Sequence, residues 1–297
     1  SAHQGKFVAS RSEKSIMKEV DAIKKMPDFK GHITDIGGPS ANMYRMEGKD
    51  LEMCKRCTRA SCIFPSKCTN LNDDHQPMND LYTAVRKTDG VKKVTVGSGI
   101  RYHLFIDGIE SDKHNNKKEY FENLVRYHVS GRLKVAPEHT EDKVLKIMRK
   151  PRFDMFRYFK DKFEEIDKKH NLNQQLVPYF ISSHPESKVE EMANLARQTK
   201  ELGYRLEQIQ DFTPTPMTLA TVMFYTGIDP YTLKPVFTAK LKHDKENQRL
   251  LFFWYKKENF RKIKNLLQQI NREDLVQTIF GKRNANIDRH HHKIRKK

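Results

Sequence analysis

The sequence predicts an α/β fold in which short parallel strands alternate with helices to make an open, partial barrel, followed by a small helical appendix. Three observations predict it. A brief apolar run, a polar loop and an amphipathic helix recur five times between His32 and Asp211, and such alternation builds a parallel sheet. Polar residues gather at the C-terminal ends of those runs, where parallel α/β folds place their ligand groups. No G-x-G-x-x-G follows any run, which argues against a nucleotide-binding doubly wound sheet, and five repeats are too few to close an eight-fold barrel.

In order, Ser12 caps a helix running to about Lys25, whose Ile16, Val20 and Ile23 form one stripe. Met26-Pro27 ends it. His32–Ile36 is a buried strand that stops at Gly37-Gly38-Pro39. The paired glycines let backbone groups approach a ligand and the proline fixes the exit. From Met46 to about Asn79 the periodicity fails, giving an insertion with too little apolar surface to fold alone. A helix over about Asn79–Lys87 leads to the strand Val91–Val96, which ends in Gly97-Ser98-Gly99-Ile100-Arg101-Tyr102. Lys117–Val129 reads as a helix, and Arg132–Val135 as a strand ending at Ala136-Pro137-Glu138-His139.

Thr140 is placed to cap the next helix, with Glu141 and Asp142 in its first turn and Val144, Leu145 and Met148 on its buried face. Phe153–His170 is a longer amphipathic helix, and Gln175–Ile181 a strand ending at Ser182-Ser183-His184-Pro185. Ser187-x-x-Glu190 matches a capping box for a helix that Gly203 closes. Leu206–Gln210 is the next strand and runs into Asp211-Phe212-Thr213. Thr226–Lys242 reads as loop, and helices over Asp244–Tyr255 and Asn259–Asn271 make the appendix. Its aromatic run, Phe252–Tyr255, sits at helical spacing and reads as core rather than a base-stacking platform. The expected organisation is a partial barrel over 1–226 with a Cys-rich insertion at about 46–79, a helical domain over 227–280 and a basic disordered tail over 281–297.

Composition narrows the class. Of 297 residues, 37% are apolar and 32% charged, with net charge +18, so the surface is densely charged. No stretch of 18 or more apolar residues exists, so no transmembrane helix is expected. No secretion signal is visible, and a cytoplasmic location is expected. The chain begins at Ser1 rather than Met, as a fragment or processed product would. Gly281–Lys297 holds seven Lys or Arg against Asp288. It is a solvated tail or a nucleic-acid contact.

The four cysteines, Cys54, Cys57, Cys62 and Cys68, lie in one C-x2-C-x4-C-x5-C segment. Clustered thiols in such a chain point to metal rather than disulfides. Soft thiolates suit zinc or an iron–sulfur cluster, and the spacing leaves both open, alongside inert reduced thiols. The strand ends form a second constellation: Gly37-Gly38, Ser98 and Arg101, Lys134, Glu138-His139, Ser182 and His184, and Thr213. Hydroxyls, a carboxylate and cations around one mouth suit a ligand with amine, carboxylate and ribose groups. His139 and His184 equally serve as hydrogen-bonding partners of neighbouring loops.

Asp35-Ile36-Gly37-Gly38-Pro39-Ser40-Ala41-Asn42-Met43-Tyr44, Ser98-Gly99-Ile100-Arg101-Tyr102 and Leu133-Lys134-Val135-Ala136-Pro137-Glu138-His139-Thr140 resemble the YgiQ-type (UPF0313) radical SAM proteins. Val177–Pro185 and Gln210–Pro214 extend the resemblance, which covers about residues 1–280. It implies a partial (β/α)6 barrel in which a 4Fe–4S cluster reductively cleaves S-adenosylmethionine to a 5′-deoxyadenosyl radical that abstracts hydrogen from a substrate. It also implies an electron donor as partner. By that resemblance Gly37, Gly38 and Pro39 receive the methionyl amino group, Ser98 and Arg101 lie near the ribose and carboxylate, and Lys134, Glu138 and Ser182 belong to the same pocket.

The family's cluster motif, C-x3-C-x2-C, is absent, and Ser1–Phe7 resembles the segment just after it. The resemblance therefore implies a C-terminal portion that lacks the first strand and is itself inactive. Cys54–Cys68 is then not the radical cluster but an auxiliary cluster or structural zinc. The competing expectation is a non-catalytic, metal-stabilised basic module that binds nucleic acid.

Overall fold

The computed structural model of the chain describes residues 8–37, 42–59, 61–113, 116–207 and 209–284. They divide into two compact units, one of the described residues up to 136 together with 154–178, the other of 137–153 and the described residues from 179 onward.

The first unit opens with α1 (Glu13–Lys24), capped as expected by Ser12, whose Oγ accepts from Ser15 N–H. β1 (His32–Ile33), α2 (Leu51–Arg56), α3 (Gln76–Arg86) and β2 (Lys93–Val94) follow. β1 pairs with β2 in parallel, His32 opposite Lys93 and Ile33 opposite Val94. The predicted α1 stripe holds at Ile16 and Val20: Val20 is buried with Leu81, Val85 and Val94, and Ile16, Met17, Ile33 and Ile36 pack around them. Then come α4 (His103–Ile106) and α5 (Asn116–Asn123), which passes into a π-helical turn, Leu124–His128. The single helix expected over Lys117–Val129 is thus two segments.

β3 (Arg132–Glu138), α6 (Asp142–Ile147), α7 (Phe153–His170) and β4 (Gln175–Ser182) continue the chain. Both strands alternate in burial, with Leu133 and Val135 on the covered face of β3 and Arg132 and Lys134 exposed on the other. The core of the first unit is aromatic. Phe159 on α7 is fully buried, stacked on Tyr102 at 5.1 Å and Phe121 at 5.3 Å, with Phe105 edge-on at 6.1 Å. Burying each such ring contributes about 1.5–3 kcal/mol.

In the second unit α8 (Val189–Glu201) is followed by β5 (Ile209–Asp211), α9 (Leu219–Thr226), α10 (Lys242–Phe252), a 3-10 turn (Lys257–Asn259), α11 (Phe260–Gln269) and α12 (Asp274–Asn284). β5 pairs with β4 in parallel, Ser182 opposite Asp211. Met192, Ala193, Leu195 and Ala196 of α8 are fully buried, as are Leu251 and Phe252 of α10 and Ile263 and Leu267 of α11. Trp254 is also buried and its Nε1–H donates to Thr199 Oγ1 at 3.1 Å, so the aromatic run is core.

Among the described residues the strands make a two-stranded sheet, β1-β2, and a three-stranded sheet, β3-β4-β5, with one parallel bridge from Ile100 to Val135. The fold is mixed α/β with a helical C-terminal region, and no barrel closes among the described residues. Several local expectations are corrected. Thr140 is buried, and Glu141 takes the cap position of α6. The capping hydrogen bond of α8 is one residue later than Ser187-x-x-Glu190, from Lys188 N–H to Glu191 Oε2 at 2.9 Å, because the Ser187 hydroxyl is engaged elsewhere. α9 and α12 were not expected. The tail beyond Asn284 lies outside the described residues.

Removing the ring at the centre of the aromatic core leaves a cavity that rigid neighbours fill only in part. Phe159→Ala is expected to lower the unfolding free energy by about 3–5 kcal/mol, read from urea titration of the purified protein; a loss below ~1 kcal/mol contradicts this packing.

Candidate functional site

In the first unit the strand ends are joined by one carboxylate that sequence reasoning had not singled out. Asp35, just beyond β1, accepts from Gly37 N–H at 3.0 Å and Gly97 N–H at 3.1 Å through Oδ1, and from Ser98 Oγ–H at 2.6 Å through Oδ2. Partial burial pushes its carboxyl up, but the hydrogen bonds from Ser98, Gly37 and Gly97 outweigh burial and hold it below the usual carboxylate range. The clamp spans residues 62 and 63 positions apart, so no local pattern announces it.

Arg101 is held by its backbone. Asn42, fully buried, accepts from Arg101 N–H at 2.7 Å and donates to Arg101 C=O at 3.0 Å. The amide reads both backbone groups, and the guanidinium extends from an exposed residue on a fixed stem. Gly37 and Ser98 therefore share one carboxylate. Lys134 is exposed on β3, and its carbonyl faces Ile100 N–H at 3.5 Å. Gly38 and Pro39 lie outside the described residues.

In the second unit Glu138 ends β3 in the left-handed region, with φ 69°, and His139 N–H donates to Pro137 C=O at 2.9 Å across it. This three-residue turn is rare and strained for a residue with a side chain. The Glu138 carboxylate pairs with Lys150 at 3.1 Å. Beyond β4, Ser183 repeats the left-handed kink with φ 61°. Ser182 is fully buried and donates to Asp211, which also takes Arg249 at 3.2 Å. Thr213 is exposed, its hydroxyl turned to Asp211 C=O at 3.4 Å.

The two histidines are structural partners. His139, fully buried, accepts from Glu141 N–H at 3.1 Å through Nδ1, which places its proton on Nε2 against Ser187 Oγ at 3.3 Å. Ser187 Oγ–H donates to Gln248 Oε1 at 3.1 Å, Gln248 Nε2–H donates to Ser187 C=O at 2.6 Å, and Ser183 N–H donates to the same Oε1 at 2.7 Å. The network ties α10 to the loop after β4. His184 Nδ1–H donates to Pro185 C=O at 2.9 Å.

The cysteines lie at and beyond the end of α2. Cys57 N–H donates to Cys54 C=O at 3.2 Å, and Cys68 N–H to Cys62 C=O at 2.8 Å. Asn70 Nδ2–H points at Cys54 Sγ at 3.2 Å and Arg59 N–H at Cys57 Sγ at 3.4 Å. Burial, and the neighbouring thiols of Cys68, Cys54 and Cys57, push the Cys62 thiol up.

Among the described residues no helix is long and apolar enough to cross a membrane. Residues 207–285 match the family described as Domain of unknown function (DUF3362). A UPF0313 protein of Bacteroides thetaiotaomicron is 55% identical over 285 residues, covering 96% of this chain and 46% of the relative. One of Porphyromonas gingivalis is 54% identical over 98% of this chain and 46% of the relative, and one of Methanocella arvoryzae 41% identical over 93% and 44%. The chain spans about half the length of the curated relatives it matches. With identity at that level along nearly all of its length, it belongs to the UPF0313 family.

Four buried imidazoles make stability depend on pH. Burial pushes His139 down to about 3 and His75, His128 and His184 down to about 4, from an ordinary 6.5. The unfolded chain takes up protons as pH falls below the ordinary value, and the folded chain does not until the lowered one. Stability is therefore full above the ordinary value and falls between it and the lowered one, by roughly 1–2 kcal/mol per imidazole at about pH 5. Urea midpoints are expected to drop steeply between about pH 7 and pH 5, and His139→Gln to flatten that slope. Asp35 and Asp73, both held low by their hydrogen bonds against the upward push of burial, lose their contribution only in more acid solution.

Proposed function

We propose that this chain forms the S-adenosylmethionine-facing part of a partial (β/α)6 radical SAM barrel, in a cytoplasmic enzyme that abstracts hydrogen from its substrate. The observation that carries the reading is the Asp35 clamp, which fastens Gly37, Gly97 and Ser98 to one strand edge with Arg101 on a backbone held by Asn42. The resemblance expects ligand-binding residues at these same loops.

The donor set suits the polar parts of that ligand. Arg101 supplies a fixed-stem cation for a carboxylate. Ser98 and Asp35 offer a hydroxyl and a carboxylate to ribose hydroxyls, and exposed Lys134 adds positive charge. Ser182 and Glu138 contribute differently: Ser182 bonds to Asp211, and Glu138 forms the strained turn beside Lys150. They support the strand ends of the second unit.

A radical cluster does not fit these residues, because no three of the four cysteines have C-x3-C-x2-C spacing. The cluster would be held elsewhere in the polypeptide, and when bound it would supply the electron that cleaves the sulfonium. The residues of this chain orient the ligand and neutralise its charge.

The test uses the natural full-length protein, kept anaerobic and supplied with iron, sulfide, a strong reductant and S-adenosylmethionine. It is expected to release 5′-deoxyadenosine and methionine, whereas this chain alone releases neither. Arg101→Ala and Asp35→Asn are each expected to weaken S-adenosylmethionine binding about tenfold, the worth of one charge-assisted hydrogen bond. No 5′-deoxyadenosine from the full-length protein overturns the reading, and its release by this chain alone overturns the division of labour.

A further inference from the structure

The segment from Glu47 to Thr69 has no buried side chain among its described residues. Twenty-odd residues with one short helix and no core do not hold a shape by apolar burial. Yet the segment is closed on itself. Its two ends meet in an antiparallel bridge from Gly48 to Leu71, with Lys49 N–H donating to Asn70 C=O at 2.7 Å and Asn72 N–H to Glu47 C=O at 2.8 Å. Between those ends lie four thiols, Cys62 exposed and Cys54, Cys57 and Cys68 half-buried.

The first pair, Cys54 and Cys57, sits at the end of α2, whose Asp50 cap accepts from Met53 N–H at 3.0 Å. The second pair, Cys62 and Cys68, is drawn together by the backbone hydrogen bond between them. Asn70 braces the first pair. Its Oδ1 accepts from Asp50 N–H at 2.8 Å, its Nδ2–H donates to Asp50 C=O at 2.9 Å, and the same amide points at Cys54 Sγ. Gly48 leaves space for that sulfur, and a side chain there would collide with it. Amide N–H groups aimed at cysteine sulfur favour the thiolate and are the usual surroundings of metal-bound thiolates. None of the four is in a disulfide.

We propose that Cys54, Cys57, Cys62 and Cys68 form a four-thiolate site for one thiophilic metal centre, which supplies the core that this insertion lacks. Among the described residues no three such side chains already stand in coordinating positions, so metal uptake draws the two pairs the last step together, as in small metal-folded domains. Lys55, Arg56, Arg59 and Lys67 lie between or beside the cysteines and offset the negative charge of four thiolates on a divalent ion or a cluster. Lys67, next to Cys68, is in turn tied to Asp73 at 2.7 Å, which also takes Lys117 at 2.7 Å, so the closed loop is anchored to the body of its unit.

The site does not depend on the radical reading, and its test is independent. Zinc, iron and acid-labile sulfide are measured in the natural full-length protein and in its Cys57→Ser, Cys62→Ser double variant, both purified anaerobically. The double variant is expected to lose either one zinc or the iron and sulfide of one cluster per chain, and to become sensitive to limited proteolysis within residues 46–79. Either loss supports the four-thiolate site, and the metal lost says which centre it holds. Equal metal content in both proteins overturns it. Where the double variant does not fold, cobalt(II) titrated into the metal-stripped wild-type protein and into its single variant Cys62→Ser decides. Thiolate-to-cobalt charge transfer with tetrahedral d–d bands that weakens in Cys62→Ser supports the site, and equal or absent bands in the two proteins overturn it.

Discussion

The ladder between β1 and β2 is only two residue pairs long, and the strand ends stay together because the Asp35 carboxylate takes over where the ladder stops. Thr95 prepares this handover, its N–H donating to Ile33 C=O at 2.9 Å and its hydroxyl to Thr34 C=O at 2.9 Å. Ile36 N–H then donates to Thr95 C=O at 3.1 Å, and beyond that point Asp35 satisfies Gly37, Gly97 and Ser98. Each bond contributes about 1 kcal/mol net, more where the acceptor is charged. Their collective effect is geometric. Two loops from distant parts of the sequence are fixed at one edge, and the proposed ligand groups stand on them.

The same economy recurs at the other strand ends with different chemistry. β3 ends in a left-handed residue, Glu138, and β4 is followed by one, Ser183, where glycine would be expected. Each kink is held by neighbours: Glu138 by its turn and by Lys150, Ser183 by the Gln248 amide. A conformation costing about 1–3 kcal/mol persists only where such contacts over-determine it. His139, Ser187 and Gln248 form the buried lattice that does so; of the three only His139 stands among the sequence's site candidates, and its ring nitrogens face Glu141 N–H and Ser187 Oγ.

What was legible followed from periodicity. The strands that begin at Arg132 and Gln175, the Ile16 and Val20 stripe of α1, its Ser12 cap, the bounds of Phe153–His170 and the Gly203 stop of α8 all express local rules, and the structure follows them. α9 was missed because Leu219–Thr226 is nearly all apolar and has no polar face to reveal a helical period. α12 was missed because Gly281, at φ 75°, breaks its pattern next to a run of charge. Asp35, Asn42 and Gln248 were missed for a different reason. Ser98, Arg101 and Ser183, the partners that tie them to other elements, lie 59 to 65 residues away, and a carboxylate or amide that bonds so distant a group leaves no mark on its own neighbourhood.

The Cys-rich insertion is where sequence and structure argue together most closely. Its composition states that apolar burial cannot order it, and its two ends are bridged while none of the described side chains between Glu47 and Thr69 is buried. A chain in that position needs a cross-link, and only its thiols can make one. The hydrogen bond from Leu71 N–H to Cys68 C=O at 3.0 Å connects the last cysteine to the segment that carries Asp73 and His75, and His75 reaches the Asn42 amide at 3.5 Å. Asn42 holds the Arg101 backbone. A loose insertion would therefore loosen the stem of the cation that the proposed ligand carboxylate needs, and the metal site would act on the neighbouring loop through packing rather than through chemistry of its own.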